Sequence, residues 1–130
     1  MSSVSKRFSL RLCSFMLIML IVLTACATDG DPAEAVEQYL QAKVASDADA
    51  LRRLLCTEME GDLARETRTF ESVTDVHIED LNCARNTGGD TVTCTGQIVA
   101  TYGTEQTTFP LSNYRVVQED GEWKWCGEAG

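Results

Sequence analysis

Apolar and polar positions alternate along the chain in three distinct regimes. Residues 12–23 form an almost uninterrupted apolar run, Leu12 to Leu23. From Pro32 to Phe70 the apolar residues recur at helical spacing. Val36, Tyr39, Leu40 and Val44 make one stripe, and Leu51, Leu54 and Leu55 make a shorter one. Met59, Leu63 and Phe70 mark a third segment, with Thr57 as its expected cap and Gly61 as a weak point. After Phe70 the period changes to two. Val73, Val76 and Ile78 begin a strand that reaches about Cys83. From Thr91 to Tyr102 the alternation is strict, with Val92, Cys94, Gly96, Ile98, Ala100 and Tyr102 on one face and Val99 as the exception on the other. That is a half-buried antiparallel strand, and Gly96 inside it predicts a bend or bulge.

Local chemistry sets the boundaries of these elements. Asp31-Pro32-Ala33-Glu34 is a helix start, with a capping carboxylate, proline at the first position and an acid in the first turn. Ser46-Asp47 ends that helix and caps the next. Asn86-Thr87-Gly88-Gly89-Asp90 and Asp120-Gly121 are hairpin turns. Tyr102-Gly103-Thr104 turns into a third strand, Gln106 to Gln118, with Pro110 at an edge or bulge. Trp123 to Cys126 makes the fourth. Three helices followed by a four-stranded antiparallel meander give an α+β fold, because helices and strands are segregated along the chain.

The 130 residues suffice for one domain, and 20 acidic against 11 basic side chains give a net charge of −9. Nucleic acid is excluded as a partner, because phosphate binding needs clustered Lys and Arg. The start of the chain reverses the balance: Lys6, Arg7 and Arg11 precede the apolar run with no acidic residue. A basic segment followed by a short apolar run is an export signal, too short for the roughly 20 residues of a permanent span. Leu23-Thr24-Ala25-Cys26 follows directly and resembles the bacterial lipobox. The resemblance implies a signal peptide over residues 1–25, diacylglycerol on Cys26, and a lipid-anchored, extracytoplasmic domain at the cell membrane. Residues 26–31 are the lipidated cysteine and its tether, and residues 32–130 the domain. The leader takes three of the 11 basic residues with it, leaving eight against 20 acidic ones.

Four cysteines remain in the exported part: Cys56, Cys83, Cys94 and Cys126. No C-x-x-C pair exists to hold a metal or make a catalytic dithiol, so two disulfides are expected, and neither metal nor cofactor. A turn centred on Gly88-Gly89 sets Cys83 opposite Cys94, which leaves Cys56 for Cys126.

The helix Pro-Ala-Glu-Ala-Val-Glu-Gln-Tyr-Leu-Gln-Ala and the terminal Asp-Gly-Glu-Trp-Lys-Trp, with the element order between them, resemble the nuclear transport factor 2-like superfamily, and within it the small bacterial lipoproteins of unknown function. The resemblance covers residues 32–126. It implies a cone, a curved sheet wrapped on helices with a cavity at the mouth. Superfamily members include isomerases, dehydratases and non-enzymatic modules, so fold alone does not give activity.

Candidate chemistry is sparse. His77 shares a strand face with Asp75 and Glu79 and could be oriented as a base, but Val76 and Ile78 opposite it mark that face as a solvent edge. Isomerase-like members pair an acid with a tyrosine. Tyr39, Tyr102 and Tyr114 are available here, with Asp75 or Asp80 as the acid, yet no motif carries a catalytic residue over. Trp123 and Trp125 share a face and read either as a ligand wall or as core. The Asp-Gly hairpin sets Val116 opposite Trp125 and Gln118 opposite Trp123, so one indole is partly exposed. Nucleotide-loop, serine-hydrolase and calcium-loop motifs are missing from the sequence.

The resulting expectation is a membrane-anchored, non-enzymatic binding or interaction module, with Trp123, Trp125, Tyr39 and Tyr102 as the residues of a ligand pocket. Its alternatives are a carrier of a small apolar ligand and an isomerase or dehydratase using an Asp–Tyr pair. Partners are the membrane through Cys26, and a small apolar ligand or an envelope protein. Monomer and homodimer both stay open.

Overall fold

The computed structural model describes residues 30–130. The expected leader, residues 1–25, and the expected lipidation site at Cys26 lie outside them. No helix among the described residues is long and apolar enough to cross a membrane.

Helix α1 spans Pro32–Val44, and Asp31 caps it by accepting from the Ala33 amide at 2.9 Å. Helix α2 spans Ala48–Leu54 and is capped in the same way by Asp47 on Ala50. The third helical segment departs from expectation. Thr57 does not cap it: a 3-10 turn over Thr57–Asp62 follows an uncapped Cys56, and α3 is only Leu63–Arg68. Gly61 lies in this turn, where its low helix propensity helps delay the α-helix. The Thr57 amide instead donates to the Glu119 carboxylate at 2.9 Å, which fastens the turn to the sheet.

Among the described residues the sheet has five strands, not four: β1 Thr74–Arg85, β2 Thr91–Tyr102, β3 Glu105–Pro110, β4 Asn113–Glu119 and β5 Glu122–Glu128. All neighbours are antiparallel. One edge of β2 carries β1, and its other edge is shared by β4 and β3. The expected strand from Gln106 to Gln118 is broken at Pro110-Leu111-Ser112. Proline has no amide to donate, and the chain steps across β2 there through single bonds, Leu111 N–H to the Gly96 carbonyl and Cys94 N–H to the Ser112 carbonyl.

The bend is centred on Gly96. Its φ of +108° is open to glycine alone, and a Cβ would lie 2.5 Å from the Glu79 carbonyl oxygen. Opposite it, β1 bulges between Glu79 and Asn82, with Asp80 at φ +54°. The paired irregularities curve the sheet around α1. Val36, Tyr39 and Leu40 of α1 then pack on Val92, Ile98, Ala100, Val116 and Trp125. Val99 is also buried, on the other face, between His77 of β1 and Thr108 of β3.

Two disulfides cross-link this framework. Cys83–Cys94 joins directly opposed residues of β1 and β2. Cys56–Cys126 ties the end of the α2 segment to β5, beside the Cys56 N–H bond to the Trp125 carbonyl. They close loops of sequence separation 11 and 70. Chain entropy assigns about 3 kcal/mol to the shorter and about 4 kcal/mol to the longer. Denaturant titration should therefore show a larger loss for the double Cys56→Ser, Cys126→Ser variant than for Cys83→Ser with Cys94→Ser. Gly96→Ala, which meets backbone oxygens and leaves both disulfides untouched, should lose at least about 2 kcal/mol.

Candidate functional site

Tyr39 and Lys43 stand one turn apart on α1 and point to the same place. The Tyr39 hydroxyl donates to Glu66 Oε2 at 2.6 Å, and the Lys43 ammonium lies 2.8 Å from the same oxygen. Arg65 reaches the other oxygen, Glu66 Oε1, at 3.3 Å. Glu66 is only 4% exposed. Burial pushes its carboxyl up, but the hydrogen bonds from Lys43 and Tyr39 and the Lys43 charge outweigh that, and the net shift is downward. Tyr39 moves the opposite way: burial and then the Glu66 carboxylate hold its hydroxyl well above the usual phenol range.

The other side of the Tyr39 ring stacks on Trp125, with centroids 4.0 Å apart and planes 10° from parallel. Trp125 is buried behind Tyr39 in the core, and its indole N–H has no hydrogen-bond partner among the described residues. Trp123 is the partly exposed indole. It lies across from Gln118, under the Arg85 guanidinium at 4.9 Å, in an open groove between α1, α2 and the β4–β5 turn. The two tryptophans therefore do not share a pocket.

Tyr39 and Tyr102 do. A cavity of about 220 Å³ opens between α1, the chain after α3, and the β3–β4 break. Phe70, Phe109 and Tyr102 form one wall, with ring centroids 6.2 Å (Phe70 to Phe109) and 6.4 Å (Tyr102 to Phe109) apart. Tyr102 is 44% and Phe109 38% exposed, the large apolar side chains most open to water among the described residues. Tyr39, Lys43, Tyr114 and Glu128 supply its polar groups.

His77 is elsewhere, on the solvent edge. Its Nδ1 meets the Asp75 carbonyl oxygen at 2.9 Å, and its Nε2 meets Glu79 at 3.1 Å. The Asp75 carbonyl and then the Glu79 carboxylate raise its pKa. Neither Asp75 nor Asp80 lines the cavity, so neither pairs with a tyrosine there. The acid that meets Tyr39 is Glu66, which sequence reasoning passed over, as it did Lys43, Phe109 and Glu128. One signal was present: Leu63, Glu66 and Phe70 fall on one helical stripe, which sets a carboxylate among apolar neighbours. Among the described residues no group of His, Cys, Asp and Glu is placed to hold a metal ion.

No family model matches the chain, and no curated protein matches it significantly. Solved structures do. A SEC-C motif containing protein from Rhodopseudomonas palustris superposes with a TM-score of 0.56 at 14% identity, over 78% of this chain and 80% of that one. A nuclear transport factor 2-like protein of unknown function in nutrient uptake from Rhodospirillum rubrum superposes with a TM-score of 0.50 at 20% identity, over 76% and 96% of the two chains. The fold is nuclear transport factor 2-like. Glu66 and Trp125 lie behind the Tyr39 wall of the cavity.

The Glu66 cluster has a pH signature. A carboxylate whose pKa falls on folding adds stability above its ordinary value of 4.5, and that stability is lost as the pH drops through the lower folded value. Glu66→Gln should cost about 2–3 kcal/mol at pH 7. The gap to the native protein should narrow at acid pH, below the folded value, in urea titrations run across the pH range.

Proposed function

We infer that this protein is a lipid-anchored, extracytoplasmic binding module without catalytic activity, which holds a small ligand with an apolar body at the mouth of the cone. The observation that carries the reading is the cavity bounded by Phe70, Phe109 and Tyr102, two of whose rings are exposed to water. A volume of about 220 Å³ falls below the roughly 300–1,000 Å³ of drug-sized sites, so the ligand is small.

The state of Glu66 speaks against acid–base chemistry. A general base needs a free lone pair and a pKa near the working pH. Glu66 has a lowered pKa and three donor side chains on its two oxygens. The Tyr39 hydroxyl already donates its one hydrogen bond to Glu66, so it has none to offer a substrate oxyanion.

The anchor rests on the lipobox at Leu23–Cys26. Five residues, 27–31, separate Cys26 from α1 and reach at most about 17 Å, which keeps the domain close to the bilayer. The Rhodospirillum rubrum neighbour, of unknown function in nutrient uptake, is compatible with a small-molecule binder. The two exposed rings also favour a second reading, an envelope protein docked on the mouth.

Mass spectrometry of the protein extracted from its native membrane tests the reading. The denatured chain should begin at Cys26 with added diacylglycerol and four hydrogens fewer than the reduced form. The native chain should carry extra small-molecule mass that Phe109→Ala loses. An unlipidated N-terminus removes the anchor. No adduct, together with a co-purifying protein lost in Phe109→Ala, moves the assignment to the second reading.

A further inference from the structure

The charges around the cavity are unequal. Lys43 lines it, but its ammonium is committed to Glu66 at 2.8 Å, and the two charges cancel. Arg65, the second cation on Glu66, is largely in solvent and does not line the cavity. Glu128 sits at the rim, paired across the sheet with Tyr114. Among the described residues Glu128 has no cation partner. One uncompensated carboxylate therefore faces a cavity whose walls are the rings of Phe70, Phe109, Tyr102, Tyr39 and Tyr114. The Lys43 ammonium already rests 5.7 Å from the centre of the Tyr39 ring, so an aromatic of this wall holds a cation in the folded protein.

Aromatic faces attract cations through their quadrupole, and the attraction is largest for weakly hydrated organic ammonium groups. The net charge of −9 repels anions from the surface and draws cations to it. We propose that the ligand of the cone mouth is a small organic cation, an alkyl- or aryl-ammonium compound whose apolar body lies against Phe70, Phe109 and Tyr102 and whose charge is met by Glu128. This rests on the ligand-binding reading of the cavity and adds the ligand's charge to it.

A shape-matched series separates the two claims. The full chain in phosphatidylcholine nanodiscs is titrated calorimetrically, against empty discs, with phenyltrimethylammonium, neutral 2-phenylpropan-2-ol and benzenesulfonate. The cation should bind at least fivefold more tightly than the alcohol, and benzenesulfonate most weakly. Glu128→Gln, an exposed change, should remove the preference between cation and alcohol, while Phe109→Ala should weaken both. Higher salt should weaken the cation alone. Equal binding of alcohol and cation, lost in Phe109→Ala, overturns the cation assignment and leaves the binding site standing. Tighter binding of benzenesulfonate makes Lys43 the charge that ligands meet, and also overturns the assignment. Binding by none of the three overturns both the assignment and the reading beneath it. A cation preference that survives Glu128→Gln overturns the role given to Glu128.

Discussion

Tyr39 is the side chain that joins α1 to both the sheet and α3. Its ring stacks on Trp125 of β5 at 4.0 Å, and its hydroxyl donates to Glu66 of α3 at 2.6 Å. The first contact is dispersion and apolar burial, and the second is a charge-assisted hydrogen bond inside a poorly hydrated site. Each constrains the other. The stack fixes the ring plane, so the hydroxyl has one direction in which to point. A carboxylate in that direction must be satisfied on all sides, because an unpaired buried charge is among the costliest defects a fold can carry. Lys43 and Arg65 complete the set, and α3, only six residues long, is secured by a side chain more than its own backbone could secure it.

The second constraint is curvature. A flat sheet would lie against α1 along its length and leave no mouth. Gly96 and the bulge in β1 bend β2 halfway along. The partner strand on the far side cannot follow the bend in register, and it breaks at Pro110 into β3 and β4. The break brings Phe109 and Tyr114 to the cavity from two different strands. The irregularity that weakens the hydrogen-bond ladder is thus what builds the candidate site.

Much of the fold can be read from the chain. The α1 stripe, the Asp31 and Asp47 caps, and the strict alternation of β2 follow from local spacing. The hairpin turns give register as well, since a turn fixes which residues oppose one another: Cys83 with Cys94, Val116 with Trp125, Gln118 with Trp123. The fifth strand was hidden because Pro110 permits either an edge position or a break, and only the neighbouring bend at Gly96 decides between them. The candidate site was less legible. Tyr39 and Tyr102 reach the cavity together, but Trp123 faces a groove elsewhere and Trp125 serves the core. Sequence spacing puts both indoles on one face of β5. It does not say which stretch of that face α1 covers, and α1 covers Trp125.

Glu66 was passed over for a related reason. Its neighbours Arg65 and Arg68 make the segment look like a solvated charged turn, and only the Leu63–Glu66–Phe70 stripe says otherwise. Once Glu66 is buried, the chemistry of the cavity follows from electroneutrality. The carboxylate inside takes up the nearest cation, Lys43, and so removes from the mouth the positive charge that would have received an anion. What the opening retains is Glu128, which has no cation partner among the described residues, set beside five aromatic rings. A buried residue outside the cavity lining thereby sets the charge at its opening. Its influence passes through the side chain that it holds.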